Sequence, residues 1–309
     1  MVLLNPLHVF LWTFRRAGRD VVNLYNSLSP VMQLATGGDM LNFGYWKDAC
    51  EPVAAQEALC SLVGSEAELG SAMALLDVGS GLGAPARHWK SAYGVNATCV
   101  NINYRQLAAS RPAAGAQSSP PPPSPPLLLV NATSTLLPFR DSSMDRVIAL
   151  ESAQHFKPIE GFARECSRVL KPGGLLVMAI PVVTVATADS ADTPASSRRS
   201  TFLKLGILSF TWSSEHYSLG RVKSAIRGSG LDIVHSIEIG SQVYEPLADY
   251  YSLNRPALRK KILQGYPPFL ESVLYRSMRK MKQASEEKVI GYAVIKAQKK
   301  KKKEEEEAG

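Results

Sequence analysis

Residues 75–83 read LLDVGSGLG: an apolar run ends in Asp77, and Gly79, Ser80, Gly81 and Gly83 turn the chain into PARHWKSAY. A buried strand breaking into a glycine-rich bend and then a helix is where open α/β sheets receive nucleotide-like ligands. Glycines leave no Cβ in the way of a ligand approaching the backbone. Dinucleotide dehydrogenases use G-x-G-x-x-G, whereas the spacing here is D-x-G-x-G-x-G, and a glycine repeat alone is a weak signal. Further along, ALESAQHF (149–156) places Glu151 and His155 just after another apolar run. A neutral imidazole there could take the proton of a hydroxyl at physiological pH. The same histidine could instead cap or bridge the adjacent helix, and both readings stand.

These residues need a scaffold. Short apolar runs alternate with helical patterns, the signature of repeated βα units and a parallel sheet. The pattern predicts strands over 74–78, 97–102, 127–131, 145–150, 174–180, 231–239 and 289–297, and helices over 84–92, 105–110, 160–170 and 218–228. Lys171-Pro-Gly-Gly174 reads as a helix stop before a buried strand. The expected organisation is an N-terminal helical or lid segment (1–46) and a ligand-binding core (47–183) with a proline-rich insertion at 112–126. A lid or substrate region containing the sixth strand (184–287) follows, then a last core strand (288–298) and a disordered charged tail (299–309).

The length of 309 residues suits one large α/β domain with an insertion, or two modest domains. Cys50, Cys60, Cys99 and Cys166 form no C-x-x-C pair, so they read as reduced thiols of an intracellular protein, with no metal framework. Net charge is +8, and its location matters: Arg255 to Lys282 holds eight bases against Glu271 alone. The rest of the chain is near neutral, which argues against a general nucleic-acid surface. Within that basic stretch Leu270, Val273, Leu274, Met278 and Met281 recur at helical spacing. They form either core for the lid or one side of a basic amphipathic helix on anionic lipid. The opening residues 2–14 are too short and interrupted for a bilayer span. They read as a packed helix, a membrane-surface anchor or a targeting segment.

Five motifs in order carry a resemblance to class I S-adenosylmethionine-dependent methyltransferases, in the subgroup acting on small molecules such as sterols, tocopherols and antibiotic sugars. Besides the glycine loop they are LNFGYW (41–46), CVNINYRQ (99–106), LPFRDSSMD (137–145) with ESAQH (151–155), and RVLKPGG (168–174). The resemblance covers nearly half the chain. It implies a Rossmann-like, doubly wound, mostly parallel seven-stranded sheet with an inserted helical lid, and S-adenosyl-L-methionine as cofactor.

By that resemblance Asp77, Gly79, Ser80, Gly81 and Gly83 hold the methionine portion. Asn101, Ile102 and Gln106 lie by the ribose, and Asn131 and Ala132 by the adenine. Glu151 orients the ammonium or His155, or pairs with a lid cation. Tyr45 and Trp46 close over the sulfonium, whose charge suits aromatic faces, or are core aromatics. Relatives often carry acids where Asn101 and Asn131 stand, and an asparagine offers one acceptor oxygen and a donor amide instead. The implied activity is methyl transfer to oxygen or nitrogen, less readily carbon, of a small lipophilic acceptor, with His155 as candidate base. The alternatives are a cofactor-binding scaffold without catalysis, and a lipid methyltransferase held at a membrane by residues 2–14 and 255–282. The location expected is cytoplasmic or peripheral to a membrane.

Overall fold

A computed structural model describes residues 17–110, 126–184, 205–206, 208 and 215–301. The apolar segment 2–14, most of the proline-rich insertion and most of the tail lie outside the described residues.

Seven strands form one sheet in the order β3-β2-β1-β4-β5-β7-β6. They are β1 (Ala74–Val78), β2 (Asn96–Asn101), β3 (Leu128–Asn131), β4 (Met144–Leu150), β5 (Leu170–Val183), β6 (Leu231–Glu238) and β7 (Ile290–Lys299). Pairings from β3 through β5 are parallel, and β7 runs antiparallel to both β5 and β6. The mostly parallel sheet is as expected, and each strand falls within a few residues of its sequence pattern. Central strands are apolar on both faces because helices cover both. Leu75, Ile148 and Val177 face a core completed by α2 (Pro52–Glu66), α3 (Ala84–Tyr93), α7 (Tyr244–Leu253) and α9 (Pro268–Glu286). Leu76, Val147 and Leu176 face another, completed by α5 (Ile159–Val169) and α6 (Leu219–Gly228).

Helix α2 was not expected, although its signal was there. Pro52 stands at its first turn, where a missing N–H costs nothing, and Ala55, Leu59 and Val63 repeat every fourth residue and are fully buried. Three more helices complete the set: α1 (Gly18–Thr36), α4 (Tyr104–Ala109) and α8 (Arg255–Leu263). The apolar stripe on α9 packs inside the molecule. Leu270 and Met281 are buried, Leu274 lies against Val31 of α1, and Met278 joins the main core. No helix among the described residues is long and apolar enough to cross a membrane.

Strand order reverses between β1 and β4, so their carboxyl ends splay and leave a crevice, the position where doubly wound sheets bind ligands.

Candidate functional site

The crevice is walled by the ends of β1 and β4, the glycine loop, the end of β2, and α1 with the loop that follows it. Val21, Val22 and Tyr25 of α1, with Asp39 and Leu41, form the wall facing the sheet. None of the described residues between 184 and 287 lines it. Among the described residues the cover is formed by α1 and the 39–42 loop, both within the 1–46 segment that the sequence marks as helical or lid. A second chamber adjoins, lined by Ala132, Thr133, His155 and Phe156, and Val21, Gly79, Asn101 and Ile102 line both.

Gly79, Gly81 and Gly83 all have positive φ, at 80°, 54° and 72°. Gly79 is also sterically required: a Cβ there would stand 2.3 Å from Cβ of Ser152. Ser152 in turn donates its hydroxyl to the Val78 carbonyl at 2.6 Å, stapling the two splayed strand ends. Gly83 caps the start of α3 rather than lining the crevice.

Two carboxylates are buried here. Asp77 is 2% exposed, and burial pushes its carboxyl up to about 7. Its Oδ2 has no hydrogen-bond partner among the described residues. Burial likewise pushes Glu151 up to about 8, against the pull of two donors on Oε1: the Phe43 amide at 2.9 Å and the Tyr292 hydroxyl at 2.8 Å. No lysine or arginine is among the described residues that line the crevice. Two buried acids in a chamber without a cation favour a positively charged ligand, since an uncompensated buried charge is costly.

Asn101 and Gln106 are held within the protein. The Asn101 amide donates to the Gly81 carbonyl (3.2 Å) and to Gln106 Oε1 (2.9 Å), and its Oδ1 accepts from the Asn103 amide. Gln106 Nε2 donates to Ser29 Oγ of α1 at 3.0 Å. The Asn131 amide donates to the carbonyls of Asn101 and Ile102, pinning the end of β2. Asn131 lines neither chamber, Ala132 lines the second, and Ser80 and Ile102 line the first.

His155 sits in a short 3-10 turn after β4. Its Nε2 is 2.9 Å from the Tyr25 hydroxyl and 3.3 Å from the Gln154 amide nitrogen, and the two rings meet edge to face. Burial, with Glu151 nearby, raises the Tyr25 phenol far above its usual range, so it keeps its proton and donates. With the Tyr25 hydroxyl donating, Nε2 is the accepting nitrogen of this pair.

Tyr45 and Trp46 stand apart from both chambers. The Trp46 indole donates to the Phe43 carbonyl and packs on Tyr250, which is the core-aromatic reading. Sequence reasoning missed Tyr25 and Asn103. Asn103 carried a signal as an asparagine just before a helical pattern, and its side chain does cap α4. Tyr25 carried none, because only the docking of α1 gives it a partner. Among the described residues no group of three or more His, Cys, Asp or Glu side chains is placed to hold a metal ion.

This donor set fits S-adenosylmethionine. Asp77 offers an orphaned carboxylate oxygen for an ammonium, and the Gly79–Gly81 backbone leaves room beside it. Comparisons with known proteins agree. Residues 76–178 match the methyltransferase domain model. The chain is 28% identical over 232 residues to Methyltransferase GfsG of Streptomyces halstedii, covering 74% of this chain and 78% of that one. It is 27% identical over 251 residues to erythromycin 3''-O-methyltransferase of Saccharopolyspora erythraea, covering 78% of each. Among solved structures it resembles the [4+2]-cyclase SpnF (TM-score 0.71, 21% identity, 92% of this chain and 97% of that one). It also resembles mycolic acid cyclopropane synthase CmaA1 complexed with SAH and CTAB (TM-score 0.72, 17% identity, 89% and 95%). At such identities the structures show the shared fold; the domain match and the curated relatives speak for the chemistry.

Proposed function

Because residues 76–178 match the methyltransferase domain model, we propose that the chain moves the methyl group of S-adenosylmethionine to an oxygen or nitrogen atom of a small lipophilic acceptor. The observation that carries this reading is the pair of buried carboxylates in a crevice whose described lining holds no lysine or arginine. The cofactor supplies a methyl group made electrophilic by its sulfonium. Asp77 takes the ammonium on its unpartnered oxygen, Gly79, Ser80 and Gly81 pass close by the ligand, and Glu151 adds negative charge nearby.

An acceptor hydroxyl or amine must lose a proton as its new bond forms. Tyr25 and His155 provide a route. The proton passes to the Tyr25 oxygen while the Tyr25 proton moves to His155 Nε2, leaving an imidazolium and a neutral phenol. Support for a lipophilic acceptor comes from Val21, Ile102, Ala132 and Phe156, which form much of the second chamber around His155. The relative named for erythromycin points the same way.

The test is transfer of labelled methyl from the cofactor to a panel of lipophilic alcohols and amines, with His155→Ala and Tyr25→Phe beside the parent. Both variants keep cofactor affinity within about twofold and lose about 10²–10⁴-fold in kcat, the usual contribution of general base catalysis. Unchanged turnover in His155→Ala would remove the base assignment.

A further inference from the structure

Residues 253–269 hold four bases, Arg255, Arg259, Lys260 and Lys261, and no acid. The same stretch exposes three large apolar side chains: Leu253 at 82%, Leu263 at 38% and Phe269 at 40%. They stand at the corners of the helical hairpins, Leu253 ending α7, Leu263 ending α8 and Phe269 opening α9.

Helix α8 is fixed in orientation. Leu258 and Ile262, one turn apart, are buried. On the flank, the Arg255 guanidinium lies 3.7 Å over the Tyr275 ring and, with Arg259, grips Glu271, which is wholly buried on α9. At about 100° per residue, Lys260 then points directly away from the buried side, with Pro256 and Leu263 within roughly 60° of it. Lys260 and Lys261 are both exposed. The apolar stripe of α9 is used inside the molecule, so this corner surface, not that stripe, is what the region offers outward.

We propose that the corner formed by Leu253, α8 and Phe269 docks on the surface of an anionic bilayer. Separate apolar side chains at loop corners suit insertion at the headgroup–acyl boundary better than a protein partner's fitted pocket. The exposed Lys260 and Lys261 on the helix between them suit the negative leaflet. The consequence depends on the function proposed above: α8 packs against α1, and α1 carries Val21, Val22 and Tyr25 into the cofactor crevice. Docking therefore brings α8, which packs on the helix that covers the crevice, to the membrane, the source of a lipid-soluble acceptor.

Flotation of the full chain tests this, using phosphatidylcholine vesicles with and without about 30 mol% phosphatidylserine, in about 0.05 M and 0.5 M salt. The protein floats with anionic vesicles at low salt, and the bound fraction falls about fivefold or more in high salt or on neutral vesicles. Lys260→Glu with Lys261→Glu lowers it about tenfold, since each reversed charge loses attraction and adds repulsion. Leu263→Ser with Phe269→Ser lowers it about threefold or more even at low salt, because the inserted apolar area is lost. No flotation of the parent chain, or equal flotation of parent and variants, overturns the proposal. Calorimetry of the cofactor on the same proteins separates the two readings. Both double variants bind the cofactor within about twofold of the parent, as none of these positions lines the crevice. A parent that floats but binds no cofactor would refute the enzyme assignment and leave the docking surface standing.

Discussion

The Asn101 amide faces two carbonyl-type oxygens, on Gly81 and on Gln106, and its own oxygen takes the Asn103 amide. All its polar atoms serve to clamp the glycine loop to the end of β2. An acid at this position in a relative would offer oxygens to a ribose, but here a carboxylate would oppose the Gly81 carbonyl and Gln106 Oε1. Asn101→Asp is therefore expected to lower cofactor affinity about tenfold and to lower Tm, as two hydrogen bonds become oxygen–oxygen repulsions. A gain in affinity by titration calorimetry would show that the family's acid can simply be restored. Sequence alone located this residue correctly at the sheet edge and identified its missing charge. It could not show that the amide was already engaged, because Gly81 and Gln106 lie 20 positions before it and 5 positions after it. Asn131 is a similar case, reading as a cofactor contact and standing as a pin on the β2 end.

At the scale of elements, two pieces make the site: a bend whose shape is written in its glycines, and a helix that closes it. The bend was legible because only glycine tolerates that backbone and that proximity. Gly79→Ala forces a Cβ to 2.3 Å from Ser152 at a φ of +80°, which costs about 1–3 kcal/mol of stability by backbone strain and displaces the loop. Gly81→Ala meets only Leu41, at 3.6 Å, and should lose less of both stability and cofactor binding. Thermal unfolding of the two variants, with and without cofactor, checks the order; a Gly81 variant worse than the Gly79 variant would contradict it. The closing helix was legible as part of a helical or lid segment over 1–46, but the surface it closes was not. Tyr25, Asn26 and Ser29 of α1 bond His155, Asn103 and Gln106, one face of α1 latched to three residues around the crevice. A helical pattern can be read from spacing, but which surface it lands on depends on partners more than seventy residues away. The sequence marked both 1–46 and 184–287 as lid; α1 of the first covers the crevice, while α7 and α9 of the second pack against the main core.

For the whole molecule, the basic surplus and the buried acids lie in different places. The surplus is spread over α8 and α9, while Asp77 and Glu151 sit inside a crevice where no lysine or arginine is among the described lining residues. Their raised values make the ligand-free protein hold protons more tightly folded than unfolded. The stability they contribute is complete below the ordinary carboxylate range and is lost as pH rises through about 7 and 8. A bound cation reverses this by favouring the ionised acids, so cofactor binding releases protons below that range and tightens as pH rises. Titration calorimetry of S-adenosylmethionine between about pH 6 and 8.5, on the parent and on Asp77→Asn, reads this directly. One site is expected, with an affinity that rises at least about tenfold from pH 6 to 8 with proton release; Asp77→Asn loses about 10–100-fold and keeps only the weaker pH dependence that Glu151 supplies. Absence of binding at millimolar cofactor, or identical affinity and pH dependence in the two proteins, would contradict this expectation.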